Sequence, residues 1–293
     1  LLTNLAVIFI FSIALLIIEQ VFGIDIRSMS WSGYGWLLIY AALFWFIGSF
    51  FSLSISRWTA KKAYNIVPYT QEDISALSGK ELLVYNTVLQ IAENNNIKTP
   101  EVWIYESQDP NAFATGPSKN KSLVAVSTGL LQHMNEGEIE WVVAHEMAHI
   151  LNGDMVTMTL VQWVMNTFVI FFARIIAEII NSRTDGKLGF LGYTATYIVL
   201  QLVLGILASI VVMKFSRWRE FHADAGSAGF VGKEKMIAAL RSLQKLKDTA
   251  PKNNSKMSTM QISTQTSRGF KSLFMSHPPL EDRIKYLEDL IIK

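Results

Sequence analysis

His145-Glu146-Met147-Ala148-His149, inside the run 138–152, decides how the rest of the chain is read. In a helix, residues four apart lie one above the other, so His145 and His149 present both imidazoles on one face. Two imidazoles so placed form a clamp for zinc. Glu146, one residue on from the first histidine, then stands beside the metal, where a carboxylate can take a proton from an attacking water. The frame of the run favours a helix: Asn135 with Glu138 three residues on reads as an N-cap and its acidic partner, and Gly153 as the stop. Between them Ile139, Val142, Val143, Met147, Ile150 and Leu151 keep one apolar face. The plainer alternative is an ordinary helix whose two histidines are satisfied polar positions.

A catalytic zinc needs a third protein ligand and one open position. The chain has no cysteine, which excludes both disulfides and thiolate ligands, so the third ligand is His, Asp or Glu. Downstream candidates are Glu220, His222, Asp224 and His277. Glu220 and Asp224 are four apart and share a helical face that His222 does not. This favours Glu220 on the metal and Asp224 behind it, accepting a proton from the far nitrogen of His145 or His149 and fixing its tautomer.

Of the 293 residues, 51% are hydrophobic and only 17% charged, too apolar for an ordinary soluble domain of this size. The net charge of +2 comes from scattered basic residues, and no nucleic-acid partner is expected. Residues 1–18 carry no charge and form a membrane-helix candidate; residues 31–55, rich in aromatics, form a second. No charge appears between Asp154 and Arg174 or between Lys187 and Lys214, which gives a third and a fourth span joined by the polar loop 181–187. In the third, Gln162, Asn166, Arg174 and Glu178 fall on one line. Such a stripe faces other helices or a wet cavity rather than acyl chains, so a packing seam and a substrate path both stand. Arg57, Lys61, Lys62, Lys214, Arg217 and Arg219 flank the spans on one side, against Arg27, Arg183 and Lys187 on the other. The positive-inside rule puts the more basic side, which carries the histidines, in the cytoplasm.

The expected division is two transmembrane helices in 1–56, a first cytoplasmic half in 57–154 ending on the histidine helix, a transmembrane hairpin in 155–213, and a second cytoplasmic half in 214–293. The hairpin returns the chain to the face it left, so Glu220 can reach the histidines despite the distance in sequence. Within the soluble halves the patterns predict a helix over 80–95, strands over 101–105 and 122–127, an amphipathic helix over 233–247, a polar surface segment over 253–268, and a last helix over 280–292 opened by Pro279. The small-residue segment 111–116 between Pro110 and Pro117 is read as a loop. It is either a turn between strands or an exposed backbone against which an extended peptide pairs beside the metal.

Four stretches, His145 to Asp154, Arg219 to Ala228, Asn111 to Gly116 and Ser276-His277-Pro278-Pro279-Leu280, resemble in order the motifs of bacterial HtpX-type membrane zinc metalloproteases, which are related to the proteases that trim prenylated CAAX proteins. The resemblance covers nearly the whole chain. It implies an α-helical membrane protein with four transmembrane helices and a cytoplasmic α+β zinc metallopeptidase domain, in which the HExxH helix is completed by a downstream glutamate as in gluzincins. It implies an inner-membrane endopeptidase facing the cytoplasm, with one zinc ion per chain, acting on misfolded or damaged membrane proteins in quality control and stress response. Carried over by position, His145, His149 and Glu220 match the zinc ligands, Glu146 the general base and Asp224 the partner behind the ligands. The resemblance further suggests that Asn111 touches substrate backbone and that His277 stabilises the oxyanion, although a histidine before two prolines also suits the cap of the last helix.

Two rival readings remain on sequence grounds. A membrane scaffold with a structural zinc would lack the catalytic carboxylate, and Glu146 is present. A metal transporter would place its ligands deep in the spans, whereas the His and acid cluster lies outside them.

Overall fold

The computed structural model describes residues 31–64, 71–249 and 277–290; the first expected membrane helix and the polar segment 253–268 lie outside the described residues. The elements in chain order are α1 (Trp31–Ala63), α2 (Gln71–Ala76), α3 (Gly79–Asn94), β1 (Glu101–Tyr105), β2 (Ala112–Ser118), β3 (Lys121–Ser127), α4 (Thr128–His133), α5 (Glu136–Asn152), α6 (Asp154–Arg183), α7 (Gly189–Val231), α8 (Lys233–Thr249) and α9 (Leu280–Asp289). They fall into two compact units. Of the described residues, the first unit takes 31–50 and 160–212, and the second takes the remainder.

The first unit is built from α1, α6 and α7, three helices among the described residues that are long and apolar enough to cross a membrane. Its outward side chains are large and apolar, with Leu191 81% and Ile47 66% exposed, a surface that water would not tolerate at this extent. Inside, Ala41, Trp45 and Ile170 cluster, and the Trp163 indole donates to the carbonyl oxygen of Ala42 at 2.7 Å. The polar stripe of α6 is used in packing: Gln162 Nε2 donates to Asn166 Oδ1 at 2.9 Å, and the buried Arg174 guanidinium lies 5.3 and 5.6 Å from the ring centres of Tyr193 and Tyr197 on α7. A hydrocarbon core needs only about 20 helical residues. The 43 residues of α7 therefore continue well beyond its charge-free part, and from Met213 on they belong to the second unit.

The second unit is a mixed α+β fold around a three-stranded sheet of order β1-β3-β2, with β3 parallel to β1 and antiparallel to β2. Its core joins Val84, Val88 and Ile91 of α3, Val124 and Val126 of β3, the apolar face of α5, and Met236, Leu240, Ile284 and Leu287 of α8 and α9. The segment expected as a loop is in fact strand β2. Alanine, glycine and threonine have weak intrinsic preference there, and pairing with β3 decides the conformation. Gly116 makes this possible: at φ +150° a Cβ would lie 2.3 Å from the Lys121 carbonyl oxygen, at the point where the register shifts. Being last in the sheet order, β2 presents its outer edge unpaired among the described residues.

Candidate active site

Helix α5 is fixed at both ends as its sequence demands. Asn135 Oδ1 accepts from the Glu138 amide and Glu138 Oε2 from the Asn135 amide, each at 3.0 Å, a complete capping box. Gly153 ends the helix in the left-handed conformation at φ +70°. One face of the helix is buried in the core. The other turns His145, Glu146 and His149 into a cavity of about 230 Å³. Ala112, Phe113 and Ala114 of β2 also line it, together with Glu220, Arg219, Met155, His277 and Arg283.

His145, His149 and Glu220 each offer a ligand atom within 4.8 Å of the others. Nε2 of His145 lies 3.4 Å from Glu220 Oε2, and Nε2 of His149 lies 3.4 Å from Glu220 Oε1. A tetrahedral zinc with bonds of about 2.0–2.1 Å separates its ligands by about 3.3–3.4 Å, so the donor set fits that ion. Two imidazoles and one carboxylate, without thiolate, leave one position open for chemistry.

Each histidine is held from behind by a carboxylate. His145 Nδ1 lies 2.9 Å from Asp224 Oδ1, and His149 Nδ1 lies 2.6 Å from Asp154 Oδ2. This fixes both rings with Nε2 toward Glu220 and raises their basicity. Asp224 is in turn gripped by Arg283, whose Nε and Nη2 reach its two oxygens at 2.7 and 2.5 Å, all of it fully buried. The electrostatics follow from these contacts in the metal-free protein. Burial pushes His149 down, but Asp154 and Glu220 outweigh it and lift its pKa to about 10; Asp224 and Glu220 likewise raise His145 against its burial. Glu220 is driven well below the usual carboxylate range: burial opposes this, and hydrogen bonds from His145, His149 and His277 overcome it. Asp224 is lowered against its burial by the Arg283 charge.

The remaining residues singled out in the sequence are placed as follows. His277 sits with Nδ1 2.8 Å from Glu220 Oε2, and Pro279, not His277, is the N-cap of α9. Asn111 directs its amide Nδ2 to the Tyr105 hydroxyl at 3.0 Å, and it is the three residues after it that line the cavity. His222 points away, with Nδ1 3.0 Å from the Trp218 carbonyl oxygen and its ring against that indole, and His133 is exposed. Sequence reasoning missed Asp154, Arg219 and Arg283. Asp154 had a signal, an acid one residue beyond the helix-ending glycine and so able to fold back on the last turn; Arg283, on a separate helix, had none.

A chain that sets such a donor trio beside an open sheet edge and also carries helices long and apolar enough to cross a membrane is, in class, a membrane zinc metallopeptidase. Residues 80–291 match the model of Peptidase family M48. The chain is 49% identical over 98% of its length to a protein named Protease HtpX from Idiomarina loihiensis, 96% of which is covered. It is 47% identical, again over 98% of its length and 97% of the relative, to Protease HtpX from Tolumonas auensis. The crystal structure of Ste24p from S. mikatae shares the fold, with a TM-score of 0.62 at 17% identity, covering 98% of this chain and 67% of that one. The chain belongs to peptidase family M48, among the HtpX proteases. It acts as a zinc-dependent endopeptidase, with one metal site among the described residues.

Proposed function

We propose that this protease cleaves misfolded or damaged membrane proteins at the cytoplasmic face of a bacterial inner membrane, as part of quality control and the stress response. The observation that carries the reading is the meeting of the His145, His149 and Glu220 donors with Glu146 and the β2 edge in one cavity. In the topology we propose, four helices cross the membrane, two of them in 1–56 and two in the hairpin 155–213. Residues 57–154 and 214–293 are then the two halves of one cytoplasmic domain, as the basic residues 57, 61, 62, 214, 217 and 219 beside the spans favour.

His145, His149 and Glu220 would hold the zinc, which when bound supplies a Lewis acid that polarises the scissile carbonyl and acidifies the attacking water. Asp224 and Asp154 hold the Nδ1 proton of each histidine, which aims Nε2 at that position. An extended substrate pairs its backbone with the outer edge of β2, which suits unfolded chains of any sequence. Glu146 takes the proton of the attacking water and delivers it to the leaving amine. His277, steered by Glu220, donates to the developing oxyanion, and Asn111 steadies the substrate backbone at the start of β2.

The test is digestion by the full chain in lipid vesicles with added zinc, using one membrane protein presented folded and unfolded. Cleavage of the unfolded form, abolished by a chelator, is expected; equal cleavage of the folded form would rule out the quality-control reading.

A further inference from the structure

Two arginines reach the site, and they differ in what they already hold. Arg283 grips Asp224 with two bonds in full burial, leaving its Nη1 without a partner among the described residues. Arg219 has no such grip. Its Nη1 stands 3.7 Å from Asp154 Oδ2, beyond hydrogen-bond reach, and its Nε is buried without a partner. That same Asp154 oxygen is already bound by His149 at 2.6 Å, so Arg219 adds little to the grip on the histidine. The side chain is 15% exposed and borders the cavity that Ala112, Phe113 and Ala114 also line. A guanidinium offers five donors in a fixed fork and no acceptor, so what completes it is an oxygen brought by a ligand.

We propose that Arg219 is a substrate-binding residue that donates to a backbone carbonyl of the peptide lying along β2, on the His149 side of the metal. The inference rests on the reading of the cavity as a peptide cleft. An extended chain hydrogen-bonded to β2 through one edge turns its other carbonyls away from that strand, where a donor bordering the same cavity can meet them. A main-chain carbonyl is present in every substrate, so the contact adds affinity without adding sequence preference. A terminal carboxylate would fill the same fork and is the competing occupant, one that would make the enzyme trim chain ends.

The experiment uses the full chain in detergent, zinc-loaded and carrying Glu146→Gln, with a fluorescein-labelled decapeptide acetylated and amidated at its ends. Adding Arg219→Met is expected to weaken peptide binding about tenfold or more, as for loss of a charged hydrogen bond. Zinc affinity, read by chelator competition, should stay within about threefold of the parent, which also shows that the site is folded; Asp154→Asn is the contrast, expected to lose about 10–100-fold. Arg219→Lys, which keeps the charge and loses the fork, should fall between parent and Arg219→Met in binding. Equal peptide affinity with and without Arg219 overturns the proposal, as does a peptide that fails to bind even with Arg219 present. So does a zinc loss matching that of Asp154→Asn, which would mean that Arg219 acts only through that carboxylate. A defect seen only with a free-carboxylate peptide assigns the residue to chain-end capture instead. Turnover by the Glu146-containing protein, measured alongside, tests the protease reading separately.

Discussion

The two zinc-facing histidines are backed by the same two residue types, an aspartate and an arginine, in very different surroundings. Behind His145 stand Asp224 and Arg283, both wholly buried and joined by two short hydrogen bonds. Behind His149 stand the buried Asp154 and the partly exposed Arg219, with the arginine 3.7 Å away. The chemistry of orientation is shared, since each ring has its Nδ1 on a carboxylate. The setting separates them: an ion pair sealed in the core ties three elements together, whereas one at the cavity wall leaves donors for a ligand.

That contrast can be broken most readily at the arginines. Arg283→Met leaves Asp224 charged and buried with only His145 beside it, and should cost about 3–5 kcal/mol of stability, seen as a large drop in thermal unfolding temperature and loss of zinc. Arg219→Met should leave unfolding nearly unchanged. Equal losses would mean that the two arrangements are structurally equivalent. A smaller effect is expected at the carboxylates. Asp154→Asn should lower zinc affinity about 10–100-fold with little change in folding, while Asp224→Asn should lower both, because it strands Arg283 as well. The smallest concerns pH. In the metal-free protein His149 keeps its proton up to about pH 10, and zinc has to displace it, so zinc affinity should rise with pH across the neutral and mildly alkaline range. Removing the Asp154 charge lowers that pKa, so Asp154→Asn should show a shallower rise in chelator-competition titrations from pH 6.5 to 9. An unchanged slope would detach His149 from Asp154.

Much of this site was legible in the sequence because its parts are local. The capping box at Asn135 and Glu138, the stop at Gly153, and the four-residue spacings of His145 with His149 and of Glu220 with Asp224 are all properties of single helices. The strands expected over 101–105 and 122–127, observed over 101–105 and 121–127, announced themselves by their apolar, β-branched runs. What escaped depends on contacts between elements. Strand β2 is built from residues with weak preferences and exists because β3 pairs with it. Arg283 lies 59 residues from Asp224, and nothing in the chain links the two before it folds. Asp154 is near His149 in sequence but belongs to the next helix, and only the left-handed turn at Gly153 brings it back.

The central claim is that one zinc, held by His145, His149 and Glu220, works with Glu146 to cut peptide bonds. Zinc content and cleavage of an unfolded protein, measured on the same preparation of Glu146→Gln beside the parent, test it most directly. The account predicts one zinc per chain in both proteins and cleavage by the parent alone. Cleavage by Glu146→Gln at the parent's rate would contradict it.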